Sequence, residues 1–510
     1  MAESLTTAAY ARRAALAVAT VALAGGAVAF SPTLVGVFYD DGLYAGIAAA
    51  LASGQGYVHP HLPGTPAVIH YPPLYPLLLA PLFGALSVDG AATAAKLLNV
   101  LLAACGAALI AWHATRANLL GETAPRWLAP ACVGAAALAI PVLTVQSVLF
   151  AEPLFGVLLA LAVILADSPP PSTRWSPASA ALMAGTAAAL ALLTRTIGVA
   201  VGAGIVLFLM VRRVPLTRAL LAAAPVVLAA AAWGVWTAMH RSGIDPAMAI
   251  NYGSLSEVVK QSGLGAFGSR APDLARPLGA ITLGWLPIIP LYYAFSAAAL
   301  AVWLYGFWVM LRRSAIGLSL LGYLAILAVW PFYPDRFLWA VLPWVALIWA
   351  AGAVACYHRF PRWRLPQAIL LGVMIVGYGQ VQVRGALGRW WGTQQATISA
   401  NFTELLPWVS TLPRDVVLAT DDEALVWLYT QRTAVPFYVY GYQGGEETHP
   451  TPAVHRAYLE RIGVTHILFS GFGGGSDEEL DALIGAYPGW LTIVHAWSGG
   501  RAVFRVNRDH

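Results

Sequence analysis

Several stretches of about 20 apolar residues with few or no charges, the length that crosses roughly 30 Å of hydrocarbon, constrain this chain more than any other feature. A soluble core cannot hide that much apolar surface. Only 10% of the 510 residues are charged, against about a quarter in an ordinary soluble domain. Hydrophobic residues make up 59%, and the mean hydropathy is +0.68. The expected fold is mainly α, a polytopic transmembrane helical bundle. The runs and their flanks place about eleven spans near 14–36, 91–113, 127–144, 147–166, 178–194, 196–211, 219–239, 290–311, 315–332, 337–356 and 366–384.

The arginines orient this bundle. With a cytoplasmic N-terminus, alternation puts Arg12, Arg13, Arg116, Arg126, Arg174, Arg212, Arg213, Arg218, Arg312, Arg313, Arg359, Arg362 and Arg364 inside, as the positive-inside rule requires. The net charge of +5 is therefore a topology signal and points to no nucleic acid. Alanine richness and scarce lysine suggest a high-GC bacterium, hence a multi-pass protein of the bacterial inner membrane. The apolar run after Arg13 is long and leads straight into a polar motif, so it reads as an uncleaved first span. Cys105, Cys132 and Cys356 lie in or at the end of apolar runs without paired spacing and read as small core residues.

Three polar segments fall outside: residues 37–90, residues 240–289 and everything after about 385. In the first, Leu43 to Leu51 reads as a short interfacial helix and Gly54 to Gly56 as a turn. The run from Leu74 to Leu86 is too short to span comfortably and reads as a helix at or dipping into the interface. Near the C-terminus, charged residues return and short β-rich runs ("DVVLAT", "THILFS") alternate with helical ones ("EALVWLYTQR", "AVHRAYLERIG"). A closing strand pair, "LTIVHAW" and "RAVFRVN", is joined by "SGG". Residues 396–510 are thus expected to form a small extracytoplasmic α/β domain beyond a membrane domain of residues 1–395. It lacks a phosphate-cradling motif, so binding or capping is expected of it and no chemistry.

Candidate chemistry clusters at the outer membrane boundary. Asp40 and Asp41 directly follow the first span, where a carboxylate is costly unless solvated, paired or metal-bound. They are either a solvated pair or a base for an acceptor hydroxyl with a neighbour that orients it or helps hold a cation. Glu152, Arg195 and Arg336 each interrupt apolar sequence on the same side; arginine suits phosphate through its planar donors. Lys260, Arg270 and Arg276 are further cations in the second loop. Tyr44, Tyr71 and Tyr75 are candidates to line a cavity or to anchor at the interface. His59, His61 and His70 share a loop and leave a divalent metal open, with Asp41 and His70 as the first ligands to test.

The order of elements in this loop, DDxxYxxIAxxLxxGxGY, a Pro/Gly segment and then "HYPPLYPLLLAP", resembles the first external loop of GT-C glycosyltransferases. The similarity is to the branch containing protein O-mannosyltransferases and the lipid A aminoarabinose transferase. It extends more loosely to "FAEPLFGVLLAL", "LLTRTIGV" and "YPDRFLWAVLPWVAL". The resemblance implies a GT-C-like bundle, a donor sugar on a polyprenyl phosphate and inversion at the anomeric centre. It places Asp40 where the family has its catalytic aspartate and Asp41 where a glutamate is commoner. The family often has a lysine just before the proline that opens the interfacial helix. This chain has Tyr71 there, preceded by His70, and Arg195 and Arg336 are the alternative phosphate ligands. The acceptor is a lipid, glycan or protein, and membrane lipids surround the chain.

A transporter or flippase also needs many spans and intramembrane charges. It commonly shows paired halves with broken helices, and no internal repeat is visible here. A membrane scaffold presenting the C-terminal domain would leave the acidic loop unexplained.

Overall fold

The computed structural model describes residues 2–167, 176–253, 271–280, 282–330, 332–443, 446–471 and 475–507. Among these, six helical stretches are long and apolar enough to cross a membrane: Thr7–Ala29, Val88–Arg116, Pro177–Thr194, Leu216–Met239, Ile289–Arg313 and Pro361–Val409. A seventh crossing would be the pair Leu128–Ala137 and Ile140–Ser147, bent by 53°.

This is fewer than the eleven spans expected. The runs near 147–166, 196–211 and 315–332 form helices Glu152–Asp167, Val199–Val211 and Ala315–Ala328, of 16, 13 and 14 residues. The run near 337–356 is divided between Asp335–Ala340 and Leu342–Arg359. Polar or turn residues shorten them: Glu152 opens one helix, and the turn Thr196–Gly198 precedes another. The bundle packs closely where side chains are small. A Cβ on Gly306 would meet the Cα of Gly352 at 2.9 Å, so Ile289–Arg313 and Leu342–Arg359 cross backbone to backbone there. Cys105 is exposed rather than in the core. Inside the bundle, Asp167 caps the helix Ala315–Ala328 through the Ala315 N–H at 2.6 Å and pairs with His113 at 2.7 Å.

The first loop folds largely as read: a helix Asp40–Ala52, a turn with Gly54 and Gly56 at positive φ, and a second helix Leu74–Ala85. The C-terminal region carries a five-stranded sheet. Its strands are β1 (Val417–Thr420), β2 (Thr433–Pro436), β5 (His466–Phe469), β6 (Leu491–Ala496) and β7 (Ala502–Val506), in the order β2-β1-β5-β7-β6. β1 runs parallel to β2 and β5, and β7 is antiparallel to β5 and β6. A separate ribbon pairs β3 (Gly441–Gln443) with β4 (Glu446–Thr448). Residue 396 lies within the helix Thr393–Val409 that leads into this region.

The sheet does not stand apart from the first loop. One apolar core joins Leu43, Tyr44 and Ile47 to Trp427, Phe437, Ile467 and Trp490. The backbone closes tightly here too: Gly36 has φ +101°, and a Cβ on it would lie 2.8 Å from the Leu425 Cα. Three hydrogen bonds reinforce the join, Leu34 N–H to Ser399 Oγ (3.1 Å), Val35 N–H to Tyr429 Oη (3.1 Å) and Ala434 N–H to the His61 carbonyl (2.9 Å). The second loop is tied in by Asp245, which accepts two hydrogen bonds from Arg461 on the helix Pro452–Ile462 at 2.9 and 3.0 Å.

Candidate active site

Between the first loop, the ends of the bundle helices and the C-terminal sheet lies a cavity of about 530 Å³. From the first loop it is lined by Asp40, Tyr44, His70 and Tyr71, and from the bundle by Arg195, Trp330, Phe332, Arg336 and Phe337. The C-terminal region adds Asp421, Asp422 and Tyr440, and the second loop adds Asn251. Residues separated by 296 positions in sequence thus meet directly.

The charges on the bundle side form one alternating chain. Arg336 bonds the Asp40 carboxylate through Nη2 and the Glu152 carboxylate through Nε at 3.1 Å. Arg195 pairs with the same Glu152 oxygen. Each guanidinium also lies over an aromatic ring, Arg336 over Phe150 at 4.1 Å and Arg195 over Phe337 at 4.9 Å. Tyr71 donates to the other Asp40 oxygen at 2.8 Å. Burial alone would raise the Asp40 carboxyl, but the Arg336 charge and the hydrogen bonds from Arg336 and Tyr71 outweigh it and hold Asp40 below the usual carboxylate range. Glu152 is 1% exposed and acts from beneath the cavity, holding both arginines.

Two residues expected in the site, Asp41 and Tyr75, are placed outside it, and a third, His70, lines it without carrying a charge. Asp41 faces away, accepting backbone N–H bonds from Gly36 (3.0 Å), Phe38 (2.9 Å) and Gly42 (3.0 Å), which fold the turn that presents Asp40. Tyr75 is fully buried behind Tyr44 and donates to Asn99 at 3.0 Å, while the Asn99 amide in turn donates to the carbonyls of Val148 and Phe150. His70 lines the cavity, but its Nδ1 bonds the Gly253 carbonyl at 2.9 Å and burial holds its pKa down, so it stays neutral and lacks a cation's grip on phosphate. Asp41 and His70 therefore do not come together as metal ligands. Among the described residues no group of three His, Cys, Asp or Glu could hold a metal ion. His59 and His61 are buried against Tyr252, away from the cavity. Arg276 is exposed outside it, and Lys260 and Arg270 lie outside the described residues.

A binding or capping role was expected of the C-terminal region, but not the carboxyl groups it brings to the cavity. Asp421 and Asp422 follow β1 immediately, the end of a parallel strand where α/β sheets commonly place functional groups. Asp421 accepts from the Tyr438 N–H at 3.1 Å and from Ser476, yet burial still raises its carboxyl. Burial, then the adjacent Asp421 and Glu423 charges, push Asp422 well above the usual range. Next along, Glu423 is fully buried and accepts from Tyr252, and burial pushes it up to about 8. The triplet was visible in the sequence, and its position after a strand was the available signal.

No protein-family model matches the chain, and no curated relative is similar to it in sequence. Its fold is nevertheless shared with solved structures. ArnT from Cupriavidus metallidurans in the apo state matches with a TM-score of 0.56 at 14% identity, over 96% of this chain and 97% of that one. An oligosaccharyltransferase from Archaeoglobus fulgidus, solved in complex with Zn and sulfate, matches with a TM-score of 0.52 at 12% identity, over 96% of this chain and 73% of that one. Both align along nearly the whole of this chain, bundle and C-terminal region together, so the chain shares its fold with these two proteins.

Proposed function

We propose that this chain is an inverting glycosyltransferase of the bacterial inner membrane. It takes a sugar from a polyprenyl-phosphate donor to a lipid, glycan or protein acceptor at the outer face, where the C-terminal region covers the site. The observation that carries this reading is the meeting of Asp40 with Arg336 and Arg195 in one cavity, on a fold shared with ArnT and an oligosaccharyltransferase. The polyprenyl donor is what the first-loop resemblance implies.

The acceptor hydroxyl attacks the anomeric carbon as the bond from that carbon to the phosphate oxygen breaks, and Asp40 takes the hydroxyl proton. Polyprenyl phosphate departs with its charge held by arginine. The resting ion pairs have a role in this sequence. A base needs proton affinity, and the Arg336 charge and the hydrogen bonds from Arg336 and Tyr71 lower that of Asp40. A phosphate arriving at Arg336 competes for that guanidinium and loosens its hold on Asp40. Losing the cation raises the carboxylate's proton affinity, so donor binding turns Asp40 into a better base.

The test is direct. Purified protein given a labelled polyprenyl-phosphate sugar and an acceptor should release polyprenyl phosphate. Asp40→Asn should cut turnover by about 100-fold or more while the protein still folds, its thermal transition lowered because Arg336 has lost one of its two carboxylates. Full turnover in that variant overturns the base assignment. Movement of the labelled lipid across a sealed bilayer without bond cleavage would favour a transporter instead.

A further inference from the structure

Beside the main cavity, the C-terminal region holds a second pocket of about 340 Å³, lined by Tyr438, His449, Pro450, Pro452, His455 and Glu479 among others. It is polar at depth. His455 is 2% exposed and Glu479 9%; Nε2 of His455 has no hydrogen-bond partner, and Oε2 of Glu479 has none either, its nearest contact being His455 Nδ1 at 3.5 Å. His449 Nδ1 stands 3.3 Å from the other Glu479 oxygen. A buried polar atom left without a hydrogen bond is costly unless something occupies it. A hydroxyl can both donate and accept, so sugar hydroxyls suit an imidazole nitrogen and a carboxyl oxygen side by side.

The pocket is not isolated. From Phe437 the chain alternates: Phe437 and Val439 are buried in the core, while Tyr438, Tyr440 and Tyr442 are half-buried on the opposite face. Their rings form a row with His449 at one end and Phe332 at the other, the successive centroids 5.4, 5.3, 5.9 and 5.7 Å apart. Tyr438 belongs to the second pocket, and Tyr440 and Phe332 line the main cavity. Row and pocket are flanked by acids: Tyr438 Oη donates to Glu447 at 2.7 Å, and Glu478 and Glu479 line the pocket. Such a surface repels a phosphate and offers little to an aliphatic chain. Flat rings that cover the C–H faces of a sugar, with carboxyl and imidazole groups beside them for its hydroxyls, match an oligosaccharide.

Resting on the transferase reading above, we propose that the acceptor is a glycan, whose end to be extended enters the main cavity while the rest of its chain lies along Tyr440 and Tyr438 into the pocket of His455 and Glu479. Neutral imidazole and protonated carboxyl together supply both hydrogen-bond partners: burial holds His455 down to about 4 and pushes Glu479 up to about 8.

The experiment uses the full chain in detergent, fluorescently labelled, on an array of neutral linear and branched oligosaccharides alongside peptides of mixed sequence. Oligosaccharides of two or more units should bind, monosaccharides much more weakly. Tyr438→Ala should lower binding roughly tenfold, the scale of losing one ring stack, with Tyr438→Phe largely retaining it. Binding of polyprenyl phosphate, followed separately, should be the same in wild type and Tyr438→Ala. Absence of any oligosaccharide binding, capture of peptides alone, or glycan binding that Tyr438→Ala leaves intact each overturns the glycan assignment. Failure of the wild type to bind polyprenyl phosphate would overturn the transferase reading instead, and the array result would stand apart from it.

Discussion

The two walls of the main cavity handle charge in opposite ways. On the bundle side every formal charge is answered: Asp40, Arg336, Glu152 and Arg195 alternate in one chain of contacts. On the C-terminal side Asp421, Asp422 and Glu423 stand in sequence, with hydroxyls and backbone groups as partners and no cation in contact among the described residues. The difference follows from what each wall borders. Near hydrocarbon an unanswered charge is prohibitive, so the helices bring ions in pairs. Where the alternative is neutralisation by a proton, a carboxyl can stay buried by holding one, and raised pKa values are the sign of that. One wall therefore holds fixed charge and the other titrates.

Removing the shared cation breaks the contrast most severely. Arg336→Ala leaves Asp40 and Glu152 short of a partner and should cost about 3 kcal/mol in stability, together with most of the turnover. Thermal unfolding in detergent reads this, and Arg336→Ala combined with Asp40→Asn should recover part of the loss. An unchanged transition in the single variant would mean that the pairing contributes nothing.

A smaller effect should come from the titrating wall. As pH rises through the elevated pKa of Asp422, that wall gains negative charge and donor affinity should fall, on the order of tenfold. A polyprenyl phosphodiester is the right probe, because its single charge does not itself titrate in this range. Asp422→Asn should flatten the dependence, and a slope that persists in the variant would assign it elsewhere.

The mildest test concerns stability. Glu423 ionises near 4.3 in an unfolded chain but near 8 when folded. Across that interval the folded state binds more protons than the unfolded one, so stability falls as pH rises from about 4 to 8 and then levels. Glu423→Gln should match wild type near pH 5 and unfold a few degrees higher at pH 8. Equal melting at both pH values would show that Glu423 keeps an ordinary pKa.

The elements of the first loop were readable because their signals are local: an acidic pair at a span's end, a Gly-bounded turn and a short apolar run. Arg195 and Arg336 were visible for the same reason, each interrupting apolar sequence. Their partners were not, since nothing in chain order says that residue 336 meets residue 40. Asp41 misled because adjacency in sequence put it in the same site as Asp40, to orient it or help hold a cation, whereas successive residues at a helix start point in different directions. Apolar runs of 13–16 residues inside a bundle resemble spans in composition, so chain order alone does not separate a full crossing from a short bundle helix. In the C-terminal region the strands and helices were legible from periodicity. The alternation Phe437, Tyr438, Val439, Tyr440 went unread, although its two-residue period marks one buried and one open face.

The close approach at Gly36 bears on how the protein is made. Residues 34–71 emerge from the ribosome early and Asp421 to Tyr440 hundreds of residues later, yet the cavity needs both, pressed together where the backbone leaves no room for a side chain. While synthesis is under way the bundle can enter the membrane with Asp40 and the arginines already paired, but one wall is missing. A half-made chain therefore holds its ionic centre in a safe, neutral state and has no enclosed chamber in which to use it. The C-terminal wall, made after the bundle, is what encloses the cavity.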